Sequence, residues 1–137
     1  AIKGEGCTGE HGVCRISLVN EIKKSVCLYA IAHKPHLLEM NHTLYPLVHA
    51  NVNKIRMLGC VSYELLQVAS GLIDSVVNVG ASRWDVEAGV WMVREAGGVV
   101  VDFEGNEWTH ESNTLLATNR YLVDQYLNVL KEFNGKA

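Results

Sequence analysis

Apolar residues recur along the chain with a period of two in some segments and of about 3.6 in others, and the switches between the two mark out strands and helices. Residues 13–19 and 25–31 read as strands, the second apolar enough throughout to be buried on both faces. A helix is expected over 35–46, with Pro35 suited to its first turn. Residues 52–57 form a short strand. Val61, Leu65, Val68, Ala69 and Leu72 then fall at helical spacing, with Tyr63, Glu64, Gln67 and Ser70 on the polar side and Gly71 placed to end the helix. Residues 73–79 read as a strand. Val86, Gly89, Val90 and Val93 mark the next helix, which Gly97 and Gly98 stop. Residues 99–103 and 114–118 are two further strands, with a turn at Glu104-Gly105-Asn106. Asn119 caps a last helix running to about Phe133, with Gly135 just beyond. This order predicts an α/β domain, a mixed central β-sheet flanked by helices.

The 137 residues suffice for a single domain over 1–137 and are too few for two ordinary ones. A hydrophobic fraction of 48% with 20% charged residues excludes a disordered tail or a fibre. The longest apolar run, 26–32, is far short of the roughly 20 residues of a membrane helix. A net charge of −3 leaves no basic footprint for nucleic acid. Cys7, Cys14, Cys27 and Cys60 form no C-x-x-C pair, and a core of this size needs no disulfide scaffold, so reduced thiols and a cytoplasmic protein are expected. The chain opens on Ala1 without a basic-then-apolar stretch and enters a glycine turn at Gly4 and Gly6, as if met in mid-fold.

Three segments carry candidate chemistry. In the first, Asp85 of Arg83-Trp84-Asp85-Val86-Glu87-Ala88-Gly89 falls at the amino end of a helix. There its carboxylate serves as an N-cap, as a ligand for a hard cation such as Mg²⁺, or as both, since it has two oxygens. In the second, residues 55–62 run from a strand through Gly59 into a helix, a turn whose free backbone N–H groups suit a phosphate or a sugar hydroxyl. The plain reading is a strand-to-helix turn. In the third, Cys7, His11 and Cys14, with His49 or Cys60 as a fourth ligand, offer soft donors for zinc, although Gly9 and Gly12 already explain that segment as a turn. His33 and His36 read as a solvated loop.

Trp84-Asp85-Val86-x-Ala88-Gly89, then Glu95-Ala96-Gly97-Gly98 and Asp102, resembles the carboxy-terminal signature of the inositol monophosphatase superfamily. Ala1-x-Lys3-Gly4-x-Gly6-Cys7 resembles that family's A-x-K-G-x-G-A turn. Ile55-Arg56-x-x-Gly59, Gly71-x-x-Asp74 and Leu116-Ala117-Thr118-Asn119 are similar to further family segments, in register and without a gap. The resemblance covers nearly the whole chain but only the second half of a family member.

The resemblance implies a Mg²⁺-dependent phosphomonoesterase with the carboxy-terminal domain of that fold, in which metal ions activate a water for attack on a phosphate ester and stabilise the leaving group. It assigns Asp85, beside Trp84, to the metal, and Gly59, Cys60 and Val61 to substrate hydroxyls, partly through backbone groups. It places Asp74 as a second acid near the site, with Arg56 as its positioning partner. Inositol-specific members carry an acid seven residues before the Trp-Asp carboxylate. Here that residue is Asn78, so another sugar or polyol phosphate becomes a candidate substrate. The family's remaining ligands, a glutamate and a D-x-x-D-G-T type motif, lie in its first half. None of Asp74, Asp85, Asp102 and Asp124 begins such a motif. One carboxylate holds Mg²⁺ poorly, so the chain alone is expected to be inactive. Trp91 is expected either under a neighbouring helix or against the missing amino-terminal half or a second subunit. A homodimer follows by resemblance only. The rival classes are a catalytically inactive domain of this fold that binds a sugar phosphate or a partner, and a zinc module.

Overall fold

The computed structural model describes residues 1–32 and 34–134. A small antiparallel hairpin, β1 (Thr8–Gly9) and β2 (Gly12–Val13), precedes the main domain. There follow β3 (Val26–Ile31), α1 (Pro35–Asn51), β4 (Lys54–Arg56), α2 (Val61–Ala69), β5 (Ser75–Val79), α3 (Arg83–Glu95), β6 (Val99–Val101), β7 (Thr114–Thr118) and α4 (Val123–Asn134). The sheet runs β4-β3-β5-β7-β6; β3, β4 and β5 are parallel, and β7 is antiparallel to both β5 and β6. This is the expected mixed sheet.

Alternate strand residues feed two separate cores, as a pleated sheet covered on both faces requires. Tyr29, Val77 and Leu116 pack with Leu44 and Val48 of α1 and Tyr126 and Leu130 of α4. Leu28, Val76 and Leu115 pack on the other face with Leu65 and Val68 of α2 and Val90 and Val93 of α3. Gly89 lets α2 and α3 close together, because a Cβ there would lie 2.5 Å from that of Leu65. No helix among the described residues is long and apolar enough to cross a membrane.

Several boundaries depart from expectation for identifiable reasons. Residues 14–20 do not form a strand. Ile16 N–H donates to the Ala96 carbonyl (3.2 Å), and Asn119 donates through its side chain to the Ser17 and Val19 carbonyls (3.0 and 2.8 Å), so the sheet is not their partner. Helix α1 passes through Pro46 and ends at Asn51, because Leu44 and Val48, both fully buried, hold it on either side of the proline. His36 therefore lies in its first turn; His33 and Gly135 fall outside the described residues. Leu72 follows the end of α2 and is 70% exposed, whereas Glu64, expected on the polar side, is fully buried. Asn119 does cap, accepting from the N–H groups of Tyr121 and Leu122, but in a turn that precedes α4.

Candidate functional site

The three parallel strands end on the same edge, and the chain leaves them for opposite faces: β3 for α1, β4 and β5 for α2 and α3. Such a divergence opens a crevice beyond the carboxyl ends of the strands. A cavity of about 470 Å³ occupies it. Its wall includes the end of β3 from Tyr29 to Ala32, Leu38 and Asn41 of α1, Met57 and Gly59 after β4, Val61 of α2, Asn78 of β5, and Ala81 and Asp85.

Among the described residues Asp85 is the one charged residue in that wall. Helix α3 begins at Arg83 with Ser82 as its N-cap residue, so Asp85 sits in the first turn and is not the N-cap. Its backbone N–H donates to the Ser82 carbonyl (2.9 Å). The carboxylate is exposed, and neither oxygen has a hydrogen-bond partner among the described residues. The helix dipole favours a negative charge there. Ser62 Oγ donates to the Asp85 carbonyl at 2.6 Å and ties the start of α2 to the start of α3.

The turn before α2 is held from below. Gly59 has φ +77°, a conformation open to glycine and costly for other residues. Cys60 is the N-cap residue, exposed and without a side-chain capping bond. The turn is fastened instead by Glu64, whose Oε1 accepts from the N–H groups of Leu58 (3.0 Å) and Gly59 (3.3 Å). Burial pushes the Glu64 carboxyl pKa up, and the two backbone N–H bonds partly oppose that shift. Its other oxygen is buried with no hydrogen-bond partner among the described residues.

The rest of the wall is neutral. The Asn78 side chain donates to the Ala30 carbonyl (3.2 Å) and accepts from the Ala81 N–H (3.4 Å), which fixes the amide against β3. Tyr29 donates its hydroxyl to Asn41 Oδ1 (2.8 Å), and burial raises the pKa of that phenol, so it stays a donor.

The profile of the inositol monophosphatase family matches residues 1–134. The chain belongs to the inositol monophosphatase family. Nus factor SuhB of Haemophilus influenzae is similar at 30% identity over 137 residues, covering 98% of this chain and 51% of the relative. A fructose-1,6-bisphosphatase/inositol-1-monophosphatase of Thermococcus kodakarensis is 36% identical over 89 residues, 59% of this chain and 35% of that protein. Among solved structures, the extragenic suppressor protein suhB of Bartonella henselae superposes with a TM-score of 0.88 at 30% identity, over 96% of this chain and 50% of that one. The chain spans about half the length of the relatives it matches from end to end.

Four residues assigned from the inositol monophosphatase resemblance, Gly59, Val61, Asn78 and Asp85, line this same cavity. Cys60 lies between two of them without lining it, and Trp84 stands 82% exposed beside Asp85. The Arg56–Asp74 pair is not formed. Strand β3 lies between β4 and β5, and Arg56 is level with Leu28, whereas Asp74 adjoins Val26. Arg56 bonds instead to the Ile55 carbonyl (2.8 Å). Asp74 is also not near the cavity. It precedes the amino end of β5, where it accepts from Ser17 Oγ (2.6 Å) and Val26 N–H (2.7 Å).

The family's Glu-Ala-Gly-Gly segment is structural here: the Glu95 carboxylate accepts from the N–H groups of Gly4 and Gly6, each at 3.0 Å. Asp102 likewise holds a turn, accepting from the N–H groups of Glu104 and Asn106. The zinc grouping is not assembled. Cys7 and Cys14 oppose each other beyond the hairpin, His49 stacks on Tyr45, and no three His, Cys, Asp or Glu side chains among the described residues converge as a metal site. Trp91 is exposed, not buried beneath a neighbouring element, and Lys3 and Arg94 flank its ring at 5.6 and 5.5 Å from the centroid.

Tyr29, Asn41 and Glu64 escaped the sequence reading. For Glu64 a signal existed, a glutamate four residues after the N-cap position, within reach of the preceding turn.

Proposed function

We propose that this chain is the carboxy-terminal half of a Mg²⁺-dependent phosphomonoesterase acting on a sugar, polyol or inositol phosphate. The observation that carries the reading is Asp85: an exposed carboxylate with both oxygens unengaged, aimed from a helix amino terminus into a cavity otherwise lined by neutral groups. Such an oxygen donor fits a hard cation, which prefers oxygen ligands and keeps waters unless several charges share it. A single carboxylate fits one share of such a site and not the whole. The other donors then come from the half of the fold that this chain does not contain.

When bound, Mg²⁺ supplies charge to the phosphate and acidifies a water for attack on it. The roles of this chain's own residues follow from their places. Asp85 would hold the cation, and the bond from Ser62 Oγ to the Asp85 carbonyl fixes the start of α3 against the start of α2. The backbone at Gly59 and Val61 and the amides of Asn41 and Asn78 form a neutral polar wall suited to hydroxyl groups. Asn78 carries no charge, which favours a sugar or polyol phosphate over inositol phosphate itself.

The test is phosphate release by the full enzyme from inositol 1-phosphate, glycerol phosphate and fructose 1,6-bisphosphate, with Mg²⁺ and with excess chelator. Release from at least one of them that stops on chelation is expected. A folded protein that releases phosphate from none overturns the reading. A second reading, a partner-binding domain without chemistry, draws on the relative whose name is that of a Nus factor, not of a phosphatase. Under that reading no phosphate is released with or without metal.

A further inference from the structure

Glu64 is a buried acid that the proposed chemistry does not use. It lies in the first turn of α2 and is fully buried, yet among the described residues no cation pairs with it and Oε2 has no partner. A buried carboxyl with one oxygen unpaired costs stability, and an apolar side chain of similar volume in its place is often neutral or stabilising. Packing therefore does not account for it. Its one set of bonds does. Oε1 gathers the N–H groups of Leu58 and Gly59, the two residues before the N-cap of α2. Gly59 lines the cavity on one side of Cys60 and Val61 lines it on the other. Cys60 supplies no side-chain capping bond, so Glu64 fastens a turn that is otherwise held by backbone alone.

We propose that Glu64 is a positioning residue for the substrate: by clamping the amides of Leu58 and Gly59 it fixes the backbone of the 59–61 turn against the hydroxyl-bearing part of the phosphate ester, while touching neither substrate nor metal. This rests on the reading that the 59–61 turn meets substrate hydroxyls. An acceptor oxygen, not a charge, is what the clamp requires, so glutamine can replace glutamate there. Methionine fills the same volume and cannot accept from the two amides.

The experiment compares wild-type full enzyme with Glu64→Met and Glu64→Gln on two substrates, a polyol phosphate and an aryl phosphate without hydroxyl groups. In Glu64→Met the KM for the polyol phosphate, relative to that for the aryl phosphate, rises about 10-fold, the loss of one well-made hydrogen bond to the substrate. Its kcat on the polyol phosphate changes little, and Glu64→Gln restores the wild-type ratio. A merely structural role lowers the folded fraction and reduces both substrates' rates alike, leaving the KM ratio unmoved; that result overturns the proposal. So does a Glu64→Gln ratio as high as that of Glu64→Met, because it makes the charge the requirement. Failure of the underlying reading is distinct: the wild-type enzyme then shows no preference between the two substrates, or no turnover at all.

Discussion

Replacing Gly89 by alanine tests how α2 and α3 are set against each other. A Cβ at position 89 would stand 2.5 Å from Leu65 Cβ and 2.6 Å from its Cδ1, closer than real Cβ contacts come. Leu65 is fully buried in the core between these helices and the sheet, so it has no free direction in which to retreat. The helices must part instead. Overpacking of this kind costs about 1–3 kcal/mol. Alanine returns about 1 kcal/mol of helix propensity over glycine, leaving a net loss of about 1 kcal/mol. The parting also strains the 2.6 Å bond from Ser62 Oγ to the Asp85 carbonyl, which joins the two helix starts at the cavity. If the parting moves the Asp85 carboxylate by about 1 Å, turnover slows by up to about 100-fold. Gly97→Ala is the matched control. No atom lies within 4 Å of its would-be Cβ, but φ is +90°, so the substitution strains the backbone by about 1–3 kcal/mol without moving α2 from α3. Urea unfolding and phosphate release are measured on both variants of the full enzyme. Both lose stability, and only Gly89→Ala loses rate. A Gly89→Ala protein as stable and as fast as wild type refutes the packing argument.

Two further outcomes follow from the site. The folded-state pKa of Glu64 lies above its ordinary value of 4.5, so above that pH the native state retains a proton that the unfolded chain has released. Its contribution to stability is full below pH 4.5 and declines as pH rises toward the raised pKa; Glu64→Met lacks that decline. Melting temperatures taken from pH 4.5 to 8 therefore show the variant gaining on wild type as pH increases, and a difference independent of pH contradicts the assignment. The isolated chain of residues 1–137, with Asp85 as the single carboxylate at the cavity, binds Mg²⁺ only weakly and releases no phosphate. Calorimetric titration showing tight, stoichiometric Mg²⁺ binding contradicts that.

The fold was legible wherever period and punctuation agreed. β7 runs over the expected residues 114–118, and Gly71 and Gly97 end their helices in left-handed conformations. It was misread where tertiary partners outweigh local pattern. Residues 13–19 read as a strand, but beyond Val13 their hydrogen bonds go to Ala96 and Asn119. Pro46 signals a helix end, and the packing of Leu44 and Val48 carries the helix past it. At the site, Asp85 and Gly59 stand next to chain-direction changes that a sequence displays openly. Asn41 and Tyr29 reach the cavity only through the crossing of α1 over β3, which no local spacing encodes. Glu64 was hidden because helical periodicity assigns a charged residue to solvent, whereas here the preceding turn folds back over it. The Arg56–Asp74 pairing failed for want of topology, since nothing between residues 56 and 74 tells that β3 separates them.

The central claim is that the Asp85 carboxylate holds the metal on which phosphate release depends. It is tested most directly by phosphate release from the full enzyme carrying Asp85→Asn, at saturating Mg²⁺. Asparagine keeps the shape and removes the charge, and at this exposed first-turn position the lost dipole interaction costs no more than about 1 kcal/mol of stability. Turnover falling by about 100-fold or more in a folded protein is the predicted result; turnover close to wild type contradicts the account.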